Sequence, residues 1–443
     1  MADQWRGDAL GCLDKEPVQT PHLDQLASEG VLFTNAVSCY PVSSPARGIL
    51  MSGMYPMNNK VIGNCNSDTA PYGVELPETA RCWSDVLKDK NYRTGYIGKW
   101  HLDSPYKPYV DTYNNRGETA WNEWCPPERR HGFDFWVAYG TYDNHLNPMY
   151  WETAAPRDSF FYAHKWGPEY EVDRAIEFLS EQKKSSSPFA LVVSMNPPHT
   201  GYDLYKHLNV ESLCKNRPDI PAKGTEMGDY FRNNIRDYYA CMTGVDENVG
   251  RLIEELKRLK LFDNTIVVFT SDHGICMGAH HSAGKDIYYE ESMKVPMIIS
   301  WPQQIKPRVD NHTMIAFGDM YPTLLSMMGF SKDIPQEVQT FDFANSILSG
   351  KADKKTVQPY YRVQPDNPTT GYRGLRTSKY TFAVHATNGK IDRTVLFDRD
   401  KDPYEMKNIA TERPKLVRAL HKQLREWLMQ TNDPFAAYLP KKQ

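Results

Sequence analysis

The sequence predicts an α/β fold in which helices sandwich a large, mostly parallel sheet, with a smaller C-terminal α+β subdomain of antiparallel sheet and helix. Helical and strand patterns alternate through most of the first 330 residues, and the strands there are continuous apolar runs, as in a sheet covered on both faces. Beyond about residue 335 the strands are short and polar-alternating, and a final helix is predicted from about 413 to 429. We therefore expect a large domain over residues 1–335 and a C-terminal subdomain over residues 336–443.

The composition is that of an ordinary soluble globular protein. Of the 443 residues, 40% are hydrophobic and 24% are charged, and the formal net charge is −3. This balance argues against a nucleic-acid or membrane-surface partner, and no apolar run is long enough to span a bilayer. The eight cysteines show neither a CxxC pair nor zinc-ligand spacing. If the substrate is an anion, individual cationic side chains must hold it.

The N-terminal segment starts abruptly. Only Met1 and Ala2 precede the polar pair Asp3 and Gln4, so we expect no strand ahead of that pair, and the segment has no signal peptide. The location of the protein is left open: it is periplasmic if a signal segment is missing from this sequence, and cytoplasmic otherwise. A helix beginning at Pro21 and a short strand over residues 31–33 are predicted next.

The stretch from residue 40 to 56 brings a hydroxyl and a cation together. It reads Tyr-Pro-Val-Ser-Ser-Pro-Ala-Arg-Gly-Ile-Leu-Met-Ser-Gly-Met-Tyr-Pro, with prolines on both sides of the serines. Ser44 followed by Pro45 fits a helix N-cap with proline at the first helical position, and we assign Ser44 that role. The assignment does not explain Ser43 or Arg47, which makes Ser43 a candidate nucleophile.

Polar side chains follow three further predicted strands, over residues 94–97, 189–194 and 265–270. They are Lys99 and His101, His199, and Asp272 and His273. Open α/β sheets bind ligands at such strand ends. A lone histidine is usually structural and an aspartate after a strand is often a helix cap, so the joint placement beside Asp3 and Gln4 is what favours a site. Two carboxylates and an amide oxygen suit Ca²⁺, with Mg²⁺ as the alternative because histidine is less typical of calcium.

These motifs together resemble a formylglycine-dependent sulfatase of the alkaline phosphatase superfamily, of the bacterial carbohydrate-sulfatase type. The family signature, Cys or Ser, any residue, Pro, any residue, Arg, stands here as Ser43-Ser44-Pro45-Ala46-Arg47. The other matches follow in family order along almost the whole chain: Asp3-Gln4, Thr20-Pro21-His22-Leu23-Asp24, Gly98-Lys99-Trp100-His101, Pro198-His199, Thr270-Ser271-Asp272-His273-Gly274, Gly284-Lys285, Tyr321-Pro322-Thr323-Leu324-Leu325 and Asp402-Pro403-Tyr404-Glu405.

The resemblance implies a nucleophile and a metal. A formylglycine-generating maturase would oxidise Ser43, and the hydrated aldehyde would be the nucleophile, one hydroxyl attacking sulfur and the other later releasing sulfate. A serine at this position is either native to a serine-type enzyme or a replacement of cysteine. The metal would orient the hydrate and polarise the sulfate. Its implied ligands are Asp3, Gln4, Ser43, Asp272 and His273.

The resemblance also implies roles for the cationic groups. Arg47 and Lys99 would offset the developing negative charge, and His101 would support the hydrate. His199 and Lys285 would contact the sulfate, and one of these two would protonate the leaving oxygen. We favour His199 for this step because the ordinary pKa of histidine suits acid catalysis near neutrality.

The region from Ser104 to about Ser159 is rich in Trp, Tyr, Pro and Asn and is expected to form long aromatic loops. Such loops suit sugar rings, so the leading hypothesis is hydrolysis of a sulfate ester on a carbohydrate. Asp143, His145 and His280 are candidate substrate-binding residues, with packing in loops as an equal alternative. Two other functions stay open: a phosphodiesterase or phosphonate hydrolase of the same superfamily, and an inactive binder of sulfated glycans that retains unmodified Ser43.

Overall fold

The computed structural model describes residues 1–199, 214, 217–351, 353, 355 and 357–440. The strands in this part of the chain are β1 (Val31–Phe33), β2 (Ala36–Val37), β3 (Arg93–Lys99), β4 (Phe135–Tyr139), β5 (Met149–Glu152), β6 (Phe161–Tyr162), β7 (Phe189–Ser194), β8 (Val267–Thr270), β9 (Met297–Ser300), β10 (Arg308–Asp310), β11 (Ile315–Ala316), β12 (Val357–Gln364), β13 (Asn367–Thr377), β14 (Tyr380–Thr387) and β15 (Lys390–Asp398). The α-helices are α1 (Pro21–Ser28), α2 (Ser43–Ser52), α3 (Pro56–Asn59), α4 (Trp83–Asp89), α5 (Gly167–Gln182), α6 (Glu226–Arg258), α7 (Glu290–Met293), α8 (Met320–Met327), α9 (Ala344–Ser349) and α10 (Pro414–Gln430).

Two sheets form the framework of the large domain. One has the order β6-β5-β4-β3-β7 and the other the order β10-β1-β9-β8. Strands β4, β3 and β7 are parallel, whereas β9 runs antiparallel to both β1 and β8. The predicted α/β class is confirmed, and the strand directions are mixed.

The first residues of the chain join these two sheets. Ala2 forms parallel bridges with Met195, which follows β7, and with Ser271, which follows β8. The Ala2 amide donates to the Thr270 carbonyl at 3.0 Å, and the Met195 amide donates to the Met1 carbonyl at 3.0 Å. Two residues are too short for a periodic pattern, which is why no strand was predicted here. The pairing fixes Asp3 between the ends of β7 and β8.

Helix α6 holds the backbone of Gln4 and Arg6 in place through hydrogen bonds. It begins after Thr225, whose side chain accepts a hydrogen bond from the Gly228 amide. The hydroxyl of Tyr238, on the buried face, donates to the Gln4 carbonyl at 2.7 Å and accepts from the Arg6 amide at 2.9 Å.

None of the described helices combines the length and the apolar character that crossing a lipid bilayer requires.

The C-terminal region is an antiparallel meander of β12 to β15 covered by α10. The helix buries Leu420, Leu424 and Leu428, which lie four residues apart on one face. These leucines share an apolar cluster with Tyr40 and Tyr55, on either side of α2. The C-terminal sheet therefore packs against the segment that carries Ser43. A domain boundary near residue 335 stays a prediction.

Candidate active site

Ser43 is the first residue of α2 and is 1% exposed. Its hydroxyl lies 3.2 Å from Asp3 Oδ2 and 3.1 Å from His273 Nε2. The His273 Nδ1 lies 2.8 Å from the Gly274 carbonyl, which can only accept, so Nδ1 carries the proton and Nε2 presents a lone pair. The structure thus brings together three residues that are far apart in sequence.

The assignment of Ser44 as an N-cap is wrong. Helix α2 begins at Ser43, and Val42 precedes it as an N-cap without a side-chain hydrogen bond. The Ser44 hydroxyl instead accepts from the Cys65 amide at 3.0 Å, and the Ser44 amide donates to Asn64 Oδ1 at 3.1 Å. Proline at the third helical position needs no amide partner, so the rigid start is tied to the loop around residue 65 rather than capped by its own serine.

Arg47, one turn along α2, is buried against both carboxylates. Its Nε donates to Asp272 Oδ2 at 3.1 Å, and its Nη2 donates to Asp3 Oδ2 at 3.1 Å. Its Nη1 donates to the Lys99 carbonyl and to Ser194 Oγ, each at 2.7 Å. Because Nε, Nη1 and Nη2 all donate hydrogen bonds, the guanidinium holds its positive charge in a fixed position beside Asp3 and Asp272.

The pKa values of Asp3 and Asp272 are shifted in opposite directions. Burial would raise the pKa of Asp3, but Lys99, whose Nζ lies 2.7 Å from Oδ2, together with Lys285, His199 and His273, outweighs it and holds the pKa well below its usual range. Burial and the charge of Asp3 raise the pKa of Asp272 to about 6. Burial and the nearby Lys285 hold the pKa of His273 well below its ordinary value. Its imidazole is therefore neutral, the form that ligates metals.

Asp3, Asp272 and His273 form a candidate metal-binding group. One potential ligand atom from each lies within 4.8 Å of the others. Asp3 Oδ1 is buried and has no hydrogen-bond partner among the described residues, and such atoms are rare unless a ligand satisfies them. Two carboxylates and an imidazole with a presented lone pair fit a divalent cation.

Gln4 and Lys285 contact each other at the edge of this group. Lys285 Nζ donates to the side-chain oxygen Oε1 of Gln4 at 3.0 Å, and the backbone N–H of Gln4 donates to Asp272 Oδ1 at 3.2 Å. Gln4 has a φ of 70°, a left-handed conformation that a non-glycine residue adopts at a cost. Burial lowers the pKa of Lys285 from its ordinary value.

His101 follows β3 in a left-handed conformation, with a φ of 55°. Its Nε2 lies 3.1 Å from the Cys65 carbonyl and must donate to it, which leaves Nδ1 as an acceptor. This Nδ1 is buried without a hydrogen-bond partner in the described part of the chain. Burial and the charges of Lys99 and Arg47 hold its pKa well below the ordinary value, so His101 is neutral.

His199 lies beside Asp143 on the other side of Lys99. Its Nδ1 lies 3.2 Å from Asp143 Oδ1. Burial and the charges of Lys285 and Lys99 lower the pKa of His199 to about 4, although Asp143 opposes them. The near-neutral pKa that favoured His199 as the proton donor therefore does not hold for this buried imidazole.

The other two predicted substrate residues lie in different surroundings. His145 Nε2 lies 3.2 Å from the His199 carbonyl, so His145 adjoins the site. His280 contacts another set of residues: its Nε2 lies 3.1 Å from Glu291 Oε2, and its ring stacks on Tyr289 at 3.7 Å. A role for either residue in binding substrate stays a prediction.

Several site residues were not singled out from the sequence. Asn196 accepts from Lys99 Nζ at 3.1 Å, Ser194 accepts from Arg47, and Trp121 lies 6.4 Å from His101 between ring centroids. Ser194 and Asn196 stand at the end of β7, just before His199, and that position was a usable signal. Trp121 lies in a long loop, where the sequence carries no signal of direction.

Two family models match this chain and together cover most of its length. A family model described as Sulfatase matches residues 1–330, and one described as N-sulphoglucosamine sulphohydrolase, C-terminal, matches residues 278–433. A Bacteroides thetaiotaomicron protein named Endo-4-O-sulfatase is 33% identical over 477 residues, covering 98% of this chain and 91% of its own. The Ulvan-active sulfatase of Formosa agariphila is 33% identical over 451 residues, covering 98% of this chain and 81% of its own.

Solved structures agree in fold. The yidJ sulfatase candidate of Bacteroides fragilis has a TM-score of 0.98 and 71% identity, covering 100% of this chain and 97% of its own. A Bacteroides thetaiotaomicron structure described under the metabolism of multiple glycosaminoglycans has a TM-score of 0.89 and 32% identity, covering 99% of this chain and 96% of its own.

Proposed function

This chain belongs to the sulfatase family and is a sulfuric ester hydrolase, and from that premise we propose that it hydrolyses sulfate esters of carbohydrates at Ser43 after oxidation of that residue to formylglycine. The observation that carries the proposal is the position of the Ser43 hydroxyl, within 3.2 Å of Asp3 Oδ2 and 3.1 Å of His273 Nε2 at the start of a buried helix. The relatives named for carbohydrate substrates support the choice of substrate class.

The side chains around Ser43 have distinct tasks. Oxidation to formylglycine, a two-electron step in which the maturase supplies the oxidant, would provide an aldehyde hydrate as nucleophile. The unpartnered Nδ1 of neutral His101 can accept a proton from a hydroxyl at this position. Arg47 and Lys99 each place a positive charge beside Asp3. These charges would offset the negative charge of the sulfate group.

Asp3, Gln4, Asp272 and His273 would hold a divalent cation, which we propose to be Ca²⁺ with Mg²⁺ as the alternative. The bound ion would supply Lewis-acid polarisation of a sulfate oxygen. The orphaned Asp3 Oδ1 and the lone pair on His273 Nε2 support these residues as ligands. Lys285, which donates to Gln4 Oε1 at 3.0 Å, lies beside this group and would contact the sulfate.

His199 is proposed to protonate the leaving oxygen after it takes up a proton with the substrate. Its pKa in the ligand-free site is about 4, lowered by burial and the two lysines. A bound sulfate group favours the imidazolium and raises this pKa, since an opposite charge within contact stabilises the charged form. Asp143 fixes the proton on Nδ1, so Nε2 is the atom that receives and transfers the second proton.

The pH dependence of inhibition by inorganic sulfate tests this step. Because the pKa of His199 is about 4 in the free site and higher in the complex, binding takes up one proton between these two values. The inhibition constant is expected to rise by about tenfold per pH unit as pH increases from 4, and to level off above the pKa of the bound form. His199→Gln is expected to remove the slope. A flat wild-type profile would contradict proton uptake at His199.

Trp121 is expected to contact the sugar rather than the sulfate. It is partly exposed and lies beside His101, and Tyr113 in the same loop is 62% exposed. Aromatic rings of this kind stack on sugar rings, and Trp121→Ala is expected to raise KM for a sulfated disaccharide about 3- to 10-fold, equivalent to about 1 kcal/mol. Turnover of nitrophenyl sulfate by the same variant is the internal control and should change little. An equal loss with both substrates would contradict a sugar contact.

Activity measurements on matured protein test the function itself. Nitrophenyl sulfate and defined sulfated mono- and disaccharides should be hydrolysed, and a nitrophenyl phosphodiester should be a poor substrate. Faster turnover of the phosphodiester would favour the phosphodiesterase alternative. Unmodified Ser43 in the peptide mass after expression with the maturase, together with retained binding of sulfated sugar, would favour the inactive binder.

A further inference from the structure

Asp143 has both of its carboxylate oxygens occupied by neighbouring side chains. Oδ1 accepts from Asn196 Nδ2 at 3.2 Å and lies 3.2 Å from His199 Nδ1, and Oδ2 accepts from Asn114 Nδ2 at 3.0 Å. Burial would raise the pKa of Asp143, but the charge and hydrogen bond of His199, together with the charges of Lys99 and His145, hold that pKa well below its usual range. Three neighbouring side chains therefore hold this carboxylate in place.

The two asparagines are fixed in orientation by groups that can only donate or only accept. Lys99 Nζ, which only donates, meets Asn196 Oδ1 at 3.1 Å, and the Tyr142 carbonyl, which only accepts, meets Asn196 Nδ2 at 2.8 Å. The Asp143 amide likewise donates to Asn114 Oδ1 at 3.1 Å. Neither amide can flip without losing these bonds, so each presents an N–H to Asp143.

The same bonds connect Asp143 to the nucleophile. Asp3 Oδ2 lies 2.7 Å from Lys99 Nζ, and Lys99 donates to Asn196, which donates to Asp143. On the other side, Asn114 belongs to a loop that is tied to the segment after β4. Asn122 Oδ1 in that loop accepts from the Gly140 and Thr141 amides at 2.9 and 3.2 Å. Asp143 is therefore held from the strand ends and from the loop at once.

We propose that Asp143 is a positioning residue for His199, clamped by Asn114 and Asn196, and that it sets the ring so that Nε2 delivers the proton to the leaving oxygen. The inference rests on the proposed function, because it assigns a task within that reaction. It replaces a direct sugar contact as the role of Asp143.

The charges facing His199 show why a carboxylate is needed there. Lys285 and Lys99 disfavour the imidazolium, and Asp143 favours it. Asp3 and His273 also interact with His199, and His145 contacts its carbonyl. Without the charge of Asp143, two ammonium groups would oppose protonation of His199, and the tautomer with the proton on Nδ1 would lose its acceptor.

A series of aryl sulfates with leaving phenols of increasing basicity tests the proposal on matured full-length protein. Asp143→Asn keeps the shape and removes the charge. We expect a loss of kcat of about 10²-fold for unsubstituted phenyl sulfate and a much smaller loss for nitrophenyl sulfate, whose leaving group needs no proton. The dependence of kcat on phenol basicity should become steeper. His199→Gln should show the same steepening, and the double variant should lose no more than either single variant.

Two further variants keep the test sharp. Asp111→Asn is the control, since Asp111 lies in the same loop as Asn114, is exposed and pairs with Arg116 at 3.0 Å. Its profile should match wild type. Asn114→Ala removes the bond to Asp143 Oδ2 and the bond from the Asp143 backbone amide but keeps the carboxylate. It should steepen the dependence to a smaller degree, which covers the case in which Asp143→Asn fails to fold.

Other outcomes overturn the inference. A uniform loss across the series would mean a merely structural role. An unchanged slope with a raised KM for sulfated sugars would mean a direct sugar contact. Normal wild-type turnover, with the dependence of kcat on phenol basicity unchanged in Asp143→Asn and Asn114→Ala, would defeat this inference alone. A matured wild-type protein that cleaves no sulfate ester would defeat the proposed function as well.

Discussion

Protein expressed without the maturase is expected to turn over sulfate esters on the order of 10⁴-fold more slowly than protein with oxidised Ser43. Ser43 is 1% exposed, and its hydroxyl lies within 3.2 Å of two acceptors, Asp3 Oδ2 and His273 Nε2. A single hydroxyl that attacked sulfur would form a stable sulfate ester, because no second hydroxyl on that carbon could expel it. The measurement pairs the mass of the peptide containing Ser43 with the turnover rate of the same preparation.

Two variants control this comparison. Ser43→Ala should be inactive with or without the maturase, since alanine has no oxygen to oxidise or to attack with. Ser43→Cys, expressed with a maturing enzyme that accepts cysteine, should recover turnover, because both residues yield the same aldehyde. Full activity in protein whose peptide mass shows an intact serine would overturn formylglycine chemistry at this site.

The fold class and most of the site were accessible from sequence because their signals are local. Apolar runs predict buried strands, and Lys99, His199 and Asp272 lie at or within five residues of the ends of β3, β7 and β8. The rule that ligands bind at strand ends was enough to expect these residues at one site. It does not place Asp3, which joins Asp272 and His273 through the pairing of Ala2.

The orientation of side chains was not accessible, because it depends on contacts between distant segments. Ser44 matched a capping pattern, yet its hydroxyl accepts from the Cys65 amide, which no local pattern specifies. The ordinary pKa of histidine favoured His199 as an acid near neutrality, and burial beside two lysines lowers that pKa to about 4. Tertiary environment overrides the residue's intrinsic property in both cases.

The pairing of Ala2 with Met195 and Ser271 shows a related limit. A strand is predicted from a pattern that extends over several residues. Here the short segment at Ala2 is enough, because the residues that follow β7 and β8 are in place to pair with it. The result matters for the site, since it fixes Asp3 directly beside Arg47 and Lys99. The position of the metal group therefore depends on a contact that no periodicity could reveal.

Removal of the divalent cation is expected to abolish activity and to lower the melting temperature. In the ion-free site Asp272 has a pKa of about 6, raised by burial and by the charge of Asp3, so the two carboxylates repel each other where a cation would join them. A ligand present at a hundredfold excess over its Kd stabilises the folded state by about 2.7 kcal/mol. Chelation followed by titration with Ca²⁺ or Mg²⁺, monitored by thermal unfolding, measures this effect without relying on turnover.

Asp3→Asn should eliminate that metal-induced shift and lower kcat about 10³-fold or more, because Asp3 Oδ1 is the buried oxygen that no described side chain satisfies. Asp8→Asn is the matched control: Asp8 lies in the same segment and pairs with Lys15 and Lys294, outside the metal group, so the shift should persist. If wild-type protein kept full activity after exhaustive chelation, or if Asp3→Asn retained the shift, Asp3 would not be a metal ligand. The bare carboxylate would then serve only to anchor Arg47 and Lys99.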